Sequence, residues 1–320
     1  MNRCPLFLLL CTVLFFSPVS AQQRSTANPL LVHSNNYIQF DKINPRVIRE
    51  AVSKVIRLSD ERVKKISAVP GDKHTVDNTL MALDELSYEL LDLSIKLDLV
   101  ASTYINDSTR NTANEGIQKI SEYASNLYLN SGLYRSIKEF AIASGNRLSA
   151  SQKKFLDETT VLFEKNGMKL NDENKEKLKS INKKIISYGT RFDKNIAESK
   201  DSISFSREEL AGLPEATIEP WKRGHDYTVY VNGPNYVEIL KHADREETRH
   251  TMMLHYYNRA YPENIKALDS IFYYRQQLAK TVGYRSYAEY ALLDKMAANP
   301  ETVWKFENDL IAKLAPHVTK

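Results

Sequence analysis

A chain of 320 residues is long enough for one large domain or two ordinary ones, and such a length can bury a sizeable core without disulfides. Its 44 basic and 40 acidic residues leave a formal net charge of +4 with the signs well mixed, which argues against a nucleic-acid binder. Glycine is scarce, 10 residues in all, so few tight turns and many long helices are expected.

The first stretch, MNRCPLFLLLCTVLFFSPVSAQQ, is unlike the rest. Arg3 is its only charge, Pro5 to Pro18 is almost wholly apolar, and Val19-Ser20-Ala21 places small residues before a cleavage point. This is the layout of a secretory signal peptide over residues 1–21, so an exported protein, periplasmic or extracellular, is expected. A transmembrane anchor is the rival reading, and the apolar core is short for a span. Cys11 faintly resembles a lipoprotein box, but Leu10 before it is not small. Both cysteines, Cys4 and Cys11, leave with the leader. The mature chain from about Gln22 then has neither a disulfide nor a thiol for catalysis or zinc. No later segment is apolar enough to cross a membrane, and a monomer is expected.

Asn44-Pro45 opens the first long helix, with Asn at the cap and Pro at the first helical position, and Pro70-Gly71 closes it. The next helix runs from about Val76 to Tyr104. Leu83, Leu86, Leu90, Leu93, Leu97, Val100 and Tyr104 step by 3 and 4 and form a narrow packing seam. A third helical region covers about Arg110 to Ala143, with a break at Asn130-Ser131-Gly132. Ser149 caps a helix that Asn166-Gly167 ends. Asn171 opens another to about Ser199, with the seam Leu178, Ile181, Ile185, Tyr188, Phe192 and Ile196. Its six lysines read as a solvated face because acids intersperse with them. From Ser202 the period becomes two. SISF and DYTVYVN predict two short strands, a hairpin-like element near 202–231, with a turn at Glu208 to Leu213. Helices then resume over about Asn235 to Ala243, Arg245 to Ala260, Pro262 to Val282, Ser286 to Ala297 and from Pro300 onward. Ser286 and Glu289 are spaced as a capping box. The fold class is mainly α.

The stretch KHADREETRHTMMLHYYNRA, residues 241–260, holds three of the seven histidines. His242, Glu246 and His250 are spaced i, i+4, i+8 and would share one side of a single straight helix. Eight residues rise about 12 Å, whereas two imidazole nitrogens on one zinc lie within roughly 3.5 Å of each other. His255, five residues after His250, points elsewhere. A metal site is therefore not expected here, and the stretch reads as polar helix surface with Met252, Met253, Tyr256 and Tyr257 supplying core. The working motif H-E-x-x-H occurs nowhere in the 320 residues, nor do G-x-S-x-G or a glycine-rich phosphate loop. No catalytic, metal-binding or cofactor-binding residue is assigned.

Several stretches, in order, resemble one family. They are NPLL and FDKINPRVIREAV, then VDNTLMALDELS, then KNGMKLNDENKEKLKSINKKIISYGTRFDKNIAES with SREELAGLPE. ADREETRHTMMLHYYNRA follows, and YRQQLAKTVGYRSYAEYALLDKMAANPETVWKFENDL is the most specific. Together they resemble the M3 zinc oligopeptidases, the group of thimet oligopeptidase, oligopeptidase A and bacterial dipeptidyl carboxypeptidase. The resemblance implies a long-helix lobe of a two-lobed clamshell with a channel between the lobes. It implies one zinc ion, held by an H-E-x-x-H helix and a further glutamate, and oligopeptide substrates in the full-length enzyme. It also implies an N-terminal helical domain over 22–200 and the start of the catalytic domain over 201–320, stopping before the zinc motif. This chain is then expected to bind no zinc and to be inactive by itself. Endopeptidase and dipeptidyl carboxypeptidase action both stay open. A non-catalytic helical peptide- or protein-binding module derived from that lobe is the alternative.

Overall fold

The computed structural model describes residues 28–32, 37–144 and 147–318. The signal peptide expected over residues 1–21 lies outside them. Among the described residues no helix is long and apolar enough to cross a membrane.

The architecture is mainly α. α1 (Pro45–Ser67) starts as the sequence predicts: the Asn44 side chain accepts from the backbone N–H groups of Arg46 and Val47, satisfying two donors of the first turn. The second predicted helix begins as a π-helical turn, Val76–Met81, before continuing as α2 (Ala82–Thr103). Thr75 and Asn78 cap that turn reciprocally. Behind it the imidazole of His74 is fully enclosed between Thr79 Oγ1 (2.9 Å) and Glu139 Oε2 (3.3 Å). The α2 seam is buried at Leu83, Leu86, Leu90, Leu93, Leu97 and Val100, packed on α1 and α3 (Asp107–Leu127). α4 (Ser131–Ser144) follows the predicted break. α5 (Ala150–Lys165) ends at Gly167, whose φ of +95° suits a residue without Cβ.

The largest hydrophobic cluster joins Leu30 to α1–α5 and Met168. Its N-terminal piece is held by one buried cation. Lys96 Nζ donates to the carbonyls of Val32 (2.9 Å) and Leu30 (3.3 Å) and to Asp92 (2.6 Å). α6 (Asp172–Ala197) buries Leu178 and Ile181 fully, and its later seam residues are half-buried against α3 and α10 (Glu263–Thr281).

Beyond α6 lies a small antiparallel sheet of three strands, ordered β1 (Ser202–Phe205), β3 (Asp226–Tyr230), β2 (Lys222–Arg223). Ile203 pairs with Val229 and Phe205 with Tyr227, and these inward residues build a second cluster with α8 (Gly233–His242) and α9 (Glu246–Tyr257). The tight hairpin therefore joins β2 to β3, not β1 to β3. The link from β1 to β2 contains the predicted turn and a short helix, α7 (Glu215–Ile218). β2 escaped sequence reading because its two residues are polar and exposed.

α11 spans only Tyr287–Leu292, shorter than predicted, because turns and the positive φ of Ala298 interrupt the chain before α12 (Pro300–Val318). Its expected capping box forms on one side only. Ser286 Oγ accepts from the Glu289 N–H, while the Glu289 carboxylate turns to Arg285.

Candidate functional site

The histidine-rich stretch does not form one straight helix, which corrects the premise of the spacing argument. α8 ends at His242, Ala243 is extended and buried, and α9 begins only at Glu246. Tertiary contacts set the corner. The Asp244 N–H donates to Ala211 O (2.9 Å), Arg249 Nη1 donates to the carbonyls of Ala243 and Asp244, and Thr248 Oγ1 donates to Glu209 O (2.7 Å). Gly212, at φ +94°, lies so close beneath the corner that a Cβ there would sit 2.2 Å from His242 O.

The histidines accordingly have separate surroundings. His242 lies 3.7 Å from Glu238 on its own helix. His250 is exposed. His255 Nδ1 lies 2.9 Å from Asp201 Oδ2 and ties α9 to the entry of β1. Glu246 is the first residue of α9 and is exposed. Among the described residues no group of three or more His, Cys, Asp or Glu is placed to hold a metal ion, so His242, Glu246, His250 and His255 do not fit zinc as arranged here. Of the expected core residues in this stretch, Met252 is buried and Tyr256 half-buried. Met253 and Tyr257 are exposed instead.

Two features of the surface carry more information. One is a bare face. Trp304, Phe306, Leu310, Ile311, Leu314 and Val318 are all exposed on α12, and only Pro300 and Val303 of that helix are half-buried. The spacing of Trp304, Ile311, Leu314 and Val318 puts them on one side of the helix, an apolar stripe of the kind that normally faces a core. α10 adds exposed Ile265, Phe272 and Tyr273. The other feature is a tyrosine–arginine stack. Tyr236 of α8 stacks on Tyr256 of α9 with ring centroids 4.0 Å apart, and the Arg259 guanidinium lies 3.7 Å from the Tyr256 ring centroid. The ending YYNRA was the only sequence signal for it; the partner Tyr236 comes from another helix.

Elsewhere α5 is fastened to α11 and its following turn. Lys165 Nζ, nearly buried, donates to Asp294 Oδ1 (2.7 Å) and lies over the Tyr290 ring, whose hydroxyl donates to Asn166 Oδ1 (3.2 Å). The hydrogen bond from Lys165 holds the Asp294 carboxyl below its ordinary pKa, and burial pushes the Tyr290 hydroxyl up to about 12. On α6, burial raises the Asp193 carboxyl, with the charge of Asp98 acting in the same direction. An apolar groove of about 360 Å³ lies between α2, α3 and α5, floored by Leu90, Ile120, Leu127 and Phe163.

The chain is mainly helical with a small sheet, and an exposed apolar stripe runs along α12. The chain is 28% identical over 266 residues to the thimet-like oligopeptidase of Dictyostelium discoideum, covering 81% of this chain and 40% of that protein. It is 26% identical over 307 residues to saccharolysin of Saccharomyces cerevisiae, covering 90% and 38%. It is 25% identical over 301 residues to oligopeptidase A of Escherichia coli, covering 88% and 44%. The chain thus spans about two fifths of the length of these curated relatives. Residues 239–320, which contain α9 to α12, match the family model Peptidase family M3. These matches support the resemblance to peptidase family M3 that the motifs carry.

Proposed function

We propose that this chain supplies the N-terminal lobe of an exported zinc metallopeptidase that hydrolyses oligopeptides. The observation that carries the reading is the coincidence of the family match with the bare surface. The matched segment, 239–320, ends in the helix whose apolar stripe is uncovered, and the matched stretch is less than half the length of the relatives. In this reading residues 22–200 form the helical domain and residues 201–320 begin the catalytic one. Further polypeptide covers α12 and brings the H-E-x-x-H helix. There zinc would polarise the scissile carbonyl and activate water, with the glutamate of that motif as general base. None of the chain's own 320 residues is given a part in that step. The lobe's work is to shape one wall of a peptide channel.

A second reading is favoured by one observation, the absence of H-E-x-x-H from the sequence. It makes the chain a non-catalytic helical module that binds peptides or proteins. Sequencing the transcript past the codon for Lys320 separates the two. An in-frame continuation carrying H-E-x-x-H supports the peptidase, and a stop codon there in an intact transcript supports the module and removes the first reading.

A further inference from the structure

Arg259 is held in two ways. Its guanidinium lies over Tyr256, which is itself stacked on Tyr236, and its Nε–H donates to Tyr256 O (2.9 Å). The side chain is half-buried, and no carboxylate is paired with it among the described residues. Other arginines of the chain differ. Arg249 is spent on two backbone carbonyls, Arg207 on Glu215 and Arg285 on Glu289. A guanidinium carries five N–H donors in a rigid plane and cannot shed its charge. With Nε committed and the plane fixed by stacking, the four N–H groups of the two Nη atoms form a fork with no acceptor among the described residues. Holding a cation part-way out of water without a counter-charge is unfavourable, and a planar oxyanion that accepts two parallel hydrogen bonds answers that fork best. Beside it, Tyr257 is largely exposed, edge-on to Tyr256 (5.6 Å) and Tyr236 (6.1 Å), and presents an aromatic surface for a neighbouring side chain.

We propose that the Arg259 fork, on its Tyr256–Tyr236 stack, is a binding site for the C-terminal carboxylate of an oligopeptide, with the last side chain of the peptide against Tyr257. The choice of a peptide carboxylate over another oxyanion rests on the oligopeptide reading given above. The pre-organised plane matters as much as the charge: little side-chain freedom remains to be lost on binding. Arg275 offers a contrast. It lies 5.1 Å from the Tyr287 ring, but its Nε is enclosed without an acceptor, so no second contact orients its plane.

The test is a titration of purified residues 22–320, followed through the Arg Nε–H resonances by NMR. Three probes are used: N-acetyl-tetra-alanine with a free carboxylate, the same peptide as its C-terminal amide, and inorganic phosphate. The free acid is expected to bind and to shift the Arg259 resonance, with the amide at least about tenfold weaker. Arg259→Gln brings the acid down to the amide level, and Arg259→Lys recovers only part, because an ammonium cannot form the fork. Unchanged far-UV circular dichroism shows that the variants fold. Equal affinity for acid and amide, or an Arg259→Gln variant that binds the acid normally, overturns the site while leaving the peptide reading intact. Phosphate binding without acid binding assigns the fork to a phosphate and also overturns it. So does the absence of binding by any probe. Failure of the peptidase reading shows separately, in the transcript beyond Lys320.

Discussion

Replacing Lys96 by Met should release the N-terminal segment from the helical body. Lys96 Nζ makes three hydrogen bonds, to the carbonyls of Leu30 and Val32 and to Asp92, with the lysine and aspartate side chains 11% and 21% exposed. Breaking a buried pair by removing one partner costs about 3–5 kcal/mol. Asp92 can rehydrate in part, which lowers that to roughly 2–3 kcal/mol. If Leu30, fully buried, then leaves its site between α1 and α2, about 1.5–3 kcal/mol of apolar burial goes with it. The expected loss is therefore about 3.5–6 kcal/mol, a large share of the roughly 5–15 kcal/mol of a typical domain. The assay is urea unfolding of residues 22–320 followed by circular dichroism, with Leu30→Ala as a comparison for the apolar part. The Lys96→Met, Asp92→Asn double variant should recover some of the loss, because no charge is then stranded. A Lys96→Met midpoint within error of the parent would refute the idea that this cation fastens the segment.

Other outcomes follow from the same geometry. Gly212→Ala should cost at least about 2 kcal/mol in urea unfolding, since its φ of +94° disfavours a side chain and the new Cβ meets His242 O; a neutral substitution would show that the α8–α9 corner is not held as described. The raised Tyr290 hydroxyl contributes stability that is complete below pH 10 and lost as pH rises toward about 12, so Tyr290→Phe should flatten the alkaline limb of the stability profile. The lowered Asp294 carboxyl acts at the other end. Its contribution is present above the ordinary aspartate range and disappears as pH falls through the folded value, and Lys165→Met should remove that acid dependence. Leu310→Glu with Leu314→Glu should change unfolding free energy by no more than about 0.5 kcal/mol while reducing aggregation, because both side chains are exposed; a large destabilisation would mean that α12 is covered in solution.

The parts of the fold that local chemistry decides were legible in the sequence. Asn44-Pro45, Ser149 and Asn166-Gly167 mark helix ends through groups on the same few residues, and the 3,4 stepping of Leu83 to Val100 is written in the chain itself. The corner at residues 243–245 is legible only in part: the sequence predicts a helix boundary near Ala243 but not what turns the chain there. KHADREETRH is helix-compatible throughout. What turns the chain is the fit of Gly212 and Ala211 from thirty residues earlier. The same holds for the two-residue β2, which exists only by pairing with β3, and for the Arg259 stack, which needs Tyr236 from α8 to complete it. Met253 and Tyr257 were assigned to the core from their apolarity alone. The structure exposes both, and Met252 and Tyr256 beside them take the inward positions.

The central proposal is that this chain forms a peptidase lobe whose zinc ligands lie outside residues 22–320. Metal analysis of purified residues 22–320 after dialysis against zinc, together with an assay of oligopeptide cleavage with and without a chelator, addresses it most directly. The account predicts no stoichiometric zinc and no chelator-sensitive cleavage, whether or not peptide is bound. One zinc per chain with chelator-sensitive hydrolysis would contradict it.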